Sequence, residues 1–150
     1  MDTSPPLVAE VLITAVMGDE LVGTWKLTDN NSDDFDKYME KVGVTFLTRK
    51  AACHLKPDVN ITKNNDEWCI KTTSTFKNTE LSFKCGEEFD ETTADGRKVK
   101  SIVTLENGVL KQKQAWDGKE SIITREVKDG RLVATCIFQD VNCVRIYDRK

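Results

Sequence analysis

Between Phe35 and Val42 the apolar positions Phe35, Tyr38, Met39 and Val42 recur at i, i+3, i+4 and i+7, which is one face of a two-turn helix. Asp33 and Asp34 stand at its positive end, and Gly43 stops it. A second short helix is predicted from about Phe46 to His54, with Leu47 and Ala51 on one side, before Pro57 returns the chain to an extended form. Ahead of both, Gly23–Leu27 reads as a short strand, and the polar residues Thr28 to Ser32 supply turn and N-cap chemistry. Beyond Pro57 the period changes to two. Alternating runs are separated by Asn64-Asn65, Cys85-Gly86, Asp95-Gly96, Asn107-Gly108, Asp117-Gly118 and Asp129-Gly130, and Asn-Gly and Asp-Gly pairs at this spacing mark an antiparallel meander. A meander of about eight or more strands must twist, split or close, and closure removes the exposed edges. The expected fold is therefore all-β, a barrel or clam with a helical hairpin inserted after the first strand.

Hairpin register places the chemistry. With Asp129 and Gly130 as central turn residues, Arg125 falls opposite Ala134. With Gln139 and Asp140 in the next turn, Ala134 falls opposite Arg145, Cys136 opposite Cys143, and Leu132 opposite Tyr147. Leu132, Ala134, Cys136 and Phe138 form an apolar set, and Ser121, Ile123 and Val127 share a side with Arg125, so the arginines belong to the interior face. Their backbones lie roughly 10 Å apart over a small alanine, within reach of one shared group. A buried guanidinium without a partner costs several kcal/mol, so the interior must offer interior acids, water, an anion or a ligand carboxylate, unless the side chains reach out to the rim. Two guanidiniums and a phenol in an apolar chamber suit a carboxylate headgroup with an apolar tail.

Composition narrows the partners. The 150 residues make one domain, and 22 Lys and Arg against 25 Asp and Glu leave a net charge of -3. Nucleic acid, which favours a basic face, is not an expected partner. Five cysteines, without zinc-type spacing, read as a reduced chain with no bound metal. No cofactor is expected. His54 and Cys53 are neighbours in sequence without an orienting third group, so a hydrolytic enzyme is not expected and His54 reads as a lid-surface residue. Residues 1–20 contain an apolar run, but Asp2 precedes it, Glu10 interrupts it and Pro5-Pro6 opens it. They are expected to be a weakly ordered extension, leaving residues 21–150 as the barrel, and a cryptic signal is the other reading of that segment.

Several stretches together resemble the intracellular fatty-acid-binding proteins. They are Gly23-Thr24-Trp25-Lys26-Leu27, Phe35-Asp36-Lys37-Tyr38-Met39 with Val42-Gly43-Val44, Thr75-Phe76-Lys77-Asn78-Thr79-Glu80, Gly86-Glu87-Glu88-Phe89-Asp90-Glu91, Thr93-Ala94-Asp95-Gly96-Arg97-Lys98, Trp116-Asp117-Gly118-Lys119-Glu120 and Arg145-Ile146-Tyr147. The resemblance spans about residues 21 to 150, looks closest to the epidermal, adipocyte and myelin branch, and the facing Cys136 and Cys143 favour the epidermal member. It implies a ten-stranded clam with a helix-turn-helix lid, carrying long-chain fatty acids as a monomer in the cytoplasm and in some cases the nucleus, with transient membrane or nuclear-receptor contacts. The carboxylate site it implies is Arg125, Arg145 and Tyr147. The portal and cavity it implies are Phe35, Tyr38, Met39, Pro57, Phe76, Ala94, Asp95, Arg97, Gln114 and Cys136, with Phe76 as gate. Cys136 and Cys143 could bridge, although a hydrogen-bonded strand pair is unfavourable for a disulfide, and reduced thiols are expected. A retinoic-acid carrier of the same fold and a secreted lipocalin-type module are the alternatives. Two departures stand out: the Asn30-Asn31-Ser32-Asp33 stretch is longer than the family's, and Glu40 replaces a lysine at one of three positions, with Arg49 and Lys50, that some members use for nuclear import.

Overall fold

The structure is a computed structural model that describes residues 18–150. Most of the expected extension, residues 1–17, lies outside the described residues; Gly18 to Glu20 form a helical turn. That turn continues into fully buried Leu21, whose N–H donates to the Gly18 carbonyl at 3.2 Å.

Ten antiparallel strands form one sheet in the order β4-β3-β2-β1-β10-β9-β8-β7-β6-β5. They are β1 (Gly23–Asn30), β2 (Asp58–Asn64), β3 (Glu67–Thr73), β4 (Thr79–Lys84), β5 (Phe89–Thr92), β6 (Lys98–Glu106), β7 (Val109–Trp116), β8 (Lys119–Lys128), β9 (Arg131–Phe138) and β10 (Val141–Arg149). The sheet curls into a nearly closed barrel whose remaining seam runs between β4 and β5, where stacked Phe83 and Phe89 rings, 5.7 Å apart, bridge the gap in place of a hydrogen-bonded ladder. The expected hairpins hold to the residue: Arg125 faces Ala134, Ala134 faces Arg145, Cys136 faces Cys143 and Leu132 faces Tyr147. Asn107, Asp117 and Asp129 all take positive φ before a positive-φ glycine, which is the turn geometry that matches the twist of the flanking strands.

Helix α1 (Ser32–Val42) begins earlier than the apolar pattern suggests. Asn31 is its N-cap, accepting from the Asp34 N–H at 3.2 Å, and Asp33 and Asp34 fall within its first turn. Gly43 ends it at φ 103°, a left-handed conformation in which a β-carbon would be strained. Helix α2 (Phe46–Cys53) follows, and Arg49 binds the two together through Asp36 at 3.0 Å and the Val44 carbonyl at 2.8 Å. Tyr38, Met39 and Val42 bury the inner face of α1 against Cys136, Phe138 and Cys143 of β9 and β10. At about 1.5–3 kcal/mol for each large apolar side chain buried, this contact is enough to seat the lid on the barrel rim. A second core, around Trp25, Trp68, Ile61 and Leu132, fills the other end.

Candidate functional site

The strand alternation of β10 points Arg145 and Tyr147 into the barrel, where they are 7% and 6% exposed. Arg145 Nε donates to the Tyr147 hydroxyl at 3.4 Å, its Nη1 donates to Asn30 Oδ1 at 3.1 Å, and its guanidinium lies 3.9 Å from the centre of the Phe35 ring. All three neighbours are uncharged. Among the described residues Arg145 makes no ion pair. Burial opposes its charge, but Tyr147 and the thiols of Cys136 and Cys143 more than offset that, so its pKa stands raised and it remains a cation.

Arg125 belongs to a neighbouring cluster. Its Nη1 donates to Gln112 Oε1 at 2.8 Å, and Gln112 Nε2 in turn donates to Glu91 Oε1 at 2.8 Å. The same carboxylate oxygen accepts from Ser101 Oγ at 2.7 Å and Gln114 Nε2 at 3.0 Å. Arg125 and Arg145 thus sit on one face in the expected register but engage different groups; Arg125 is balanced through Gln112 by Glu91, whereas Arg145 is not balanced by any described acid. Of this cluster Gln114 is an expected cavity residue, whereas Glu91, Ser101 and Gln112 are additional members. The usable signal was pairing: Ser101, Gln112, Gln114 and Ser121 are polar side chains in inward positions of β6, β7 and β8, and all four are buried.

A cavity of about 220 Å³ opens between lid and barrel. Its wall includes Arg145 together with Phe35, Tyr38, Met39 and Pro57 on the lid side, and Phe76, Ala94, Asp95 and Arg97 on the strand turns. Eight of the ten expected portal and cavity residues therefore meet there. Gln114 and Cys136 lie deeper, Gln114 in the Glu91 cluster and Cys136 beneath the lid. Phe76, the expected gate residue, lines this cavity and is 53% exposed. Asp95 clips Arg97 through two bonds, 2.7 and 3.1 Å, and the guanidinium covers the Trp116 ring at 4.6 Å. Burial alone would raise the Asp95 carboxyl, but Arg97 and Thr93 hold it below the ordinary carboxylate value.

The lid is fastened from inside. The Tyr38 hydroxyl shares a buried hydrogen bond of 2.5 Å with Ser121 Oγ, and burial pushes the phenol well above its ordinary pKa, so it is neutral. Cys136 and Cys143 are free thiols in the structure; burial raises both, Cys143 to about 12. His54 is exposed at the end of α2, and no described helix is long and apolar enough to cross a membrane.

This geometry has counterparts. The lipocalin / cytosolic fatty-acid binding protein family matches residues 22–150. The chain belongs to that family. An adipocyte fatty acid-binding protein from Pygoscelis papua is 55% identical over 133 residues, covering 89% of this chain and 99% of the relative. Among solved structures, Echinococcus granulosus fatty-acid-binding protein 1 is 42% identical with a TM-score of 0.83, covering 87% of this chain and 98% of that one. A Schistosoma mansoni fatty acid binding protein in complex with arachidonic acid is 38% identical with a TM-score of 0.85, covering 89% and 98%. The resemblance read from the sequence is thus met at the level of the family, and the matched relatives include an adipocyte protein.

Proposed function

We propose that this member of the family is an intracellular carrier of long-chain fatty acids, holding the carboxylate at Arg145 and Tyr147 with Arg125 nearby, and the tail in the apolar cavity beneath the lid. The observation that carries this reading is the state of Arg145: a buried cation on the cavity wall with only neutral neighbours among the described residues. A buried charge without an ionic partner is costly, and a ligand carboxylate is the group that would supply one. Three of the five guanidinium N–H groups make no hydrogen bond within the described chain, which is room for a two-oxygen acceptor. No step in this function breaks or makes a covalent bond, so it needs no cofactor and no catalytic group. The reading includes a monomer of the cytoplasm, nuclear entry, and brief contact with a membrane or a nuclear receptor. Arg49, one of the residues aligned with an import signal, is engaged by Asp36, Val44 and Glu40, which counts against the nuclear part. The facing thiols Cys136 and Cys143 are the feature that favours the epidermal branch. Native mass spectrometry of the purified full chain tests the ligand class: co-purified long-chain fatty acid supports the reading, and a retinoid or a neutral lipid in its place contradicts it.

A further inference from the structure

The ladder between β1 and β10 is regular as far as Leu27, opposite Tyr147, and then slips by one residue. Asp29 faces Ile146 and Asn30 faces Arg145, leaving Thr28 as the extra residue of a bulge. The bulge is pinned from outside: the Thr28 hydroxyl donates to the Ile146 carbonyl at 3.3 Å and accepts from Arg131 Nη2 at 3.1 Å, while Arg131 Nε donates to Asp148 at 2.7 Å. Its effect appears on the inner face. With Thr28 in register opposite Ile146, the residue facing Arg145 would be Asp29, because pairing in a sheet advances one residue at a time. A carboxylate fixed there would take the guanidinium for itself. In the structure Asp29 is exposed, and Asn30 presents a neutral acceptor to Arg145 Nη1.

We infer that the Thr28 bulge and Asn30 set the specificity of the headgroup site. Asn30 is a positioning residue: it orients Arg145 through an uncharged oxygen, and the bulge keeps the neighbouring acid outside, so the positive charge stays open to an anionic ligand. This rests on the reading of Arg145 as the carboxylate-binding group.

Isothermal titration with oleate and with oleyl alcohol separates the two ideas. Asn30→Asp places an isosteric carboxylate beside the guanidinium, and oleate affinity is expected to fall at least about tenfold while oleyl alcohol stays within about twofold. Asn30→Ala, which only removes the acceptor, is expected to cost oleate about threefold and the alcohol nothing. Asp29→Asn is expected to leave both unchanged. If Asn30→Asp keeps the wild-type ratio of oleate to alcohol affinity, or loses both ligands equally, the inference is overturned. Equal losses for Asn30→Ala overturn it too, as does a changed ratio in Asp29→Asn. Arg145→Gln, run alongside, reports on the underlying reading: a ratio unchanged there removes the headgroup site itself, whereas a collapsed ratio there with an unchanged one in Asn30→Asp removes only the role of Asn30.

Discussion

Tyr38→Phe removes one oxygen atom from the inner face of the lid and nothing else. The lost contact is the buried, neutral hydrogen bond between the Tyr38 hydroxyl and Ser121 Oγ. Such a bond contributes a net 0.5–1.5 kcal/mol or so when its partner is not stranded. Ser121 is not stranded, because its hydroxyl also donates to the Ile137 carbonyl at 3.2 Å. The cost should therefore sit near about 1 kcal/mol, and if α1 acts as the proposed lid over the cavity, most of it should appear in the lid-opening equilibrium. Stopped-flow displacement of a fluorescent fatty acid is expected to show release about fivefold faster, a factor corresponding to ~1 kcal/mol. Urea unfolding should show a loss of the same size. The raised phenol pKa adds a sign: the proton is bound more tightly in the folded chain, so this contribution is present below the ordinary value of 10.0 and is lost as pH rises beyond it. Release rates between pH 6 and 9 or so should then show no titration from this group. A variant with wild-type release kinetics but the full loss of stability would refute the latch, because the bond would then be equally intact in the open state.

Three other outcomes follow from the same contacts. Glu91→Ala takes the shared acceptor from Ser101, Gln112 and Gln114, and urea unfolding is expected to record a loss of about 2 kcal/mol or more, since buried donors left unpaired cost ~1–3 kcal/mol each; an unchanged midpoint would contradict the network. Gly23→Ala adds a β-carbon at φ 147° against Arg149 Nη1, which donates to the Val22 carbonyl and whose guanidinium covers the Trp25 ring, so thermal unfolding should fall by several degrees, on the order of 1 kcal/mol or more. Thiol labelling followed by peptide mapping should modify exposed Cys85 well before Cys136 and Cys143, whose burial keeps them protonated; early labelling of the buried pair would show the lid loosely seated.

The barrel was legible because its turns carry their own register. Once Asp129-Gly130 and Gln139-Asp140 are placed at hairpin tips, the positions of Arg125, Ala134, Arg145 and the two cysteines follow, and the structure has each pair as expected. The lid was legible through the spacing of Phe35, Tyr38, Met39 and Val42. What escaped was set by tertiary pairing. Thr28, Asp29 and Asn30 look like turn residues, yet they extend β1 because β10 continues beside them, and no local pattern announces a bulge. Glu91 closes an acidic run, Glu87-Glu88-Phe89-Asp90-Glu91, in which nothing local marks one carboxylate as inward; only the placement of β5 beside β6 turns that side chain to the glutamines. Nor does the sequence reveal that Arg125 is turned toward Gln112, because register places a backbone and leaves a five-donor guanidinium free to choose its partner.

On the proposed reading, Arg145 holds an ionised ligand carboxylate in a buried site. The most direct measurement is a pH titration of the carboxyl carbon of ¹³C-labelled oleate bound to the full chain, followed by NMR, in the wild type and in Arg145→Gln. A neighbouring guanidinium favours the charged form, so the wild-type signal should keep its carboxylate position to pH values below the ordinary carboxyl range of about 4, and in Arg145→Gln it should titrate at least one unit or so higher. A bound carboxyl that titrates at or above its ordinary value in the wild type, and identically in the variant, would contradict the account.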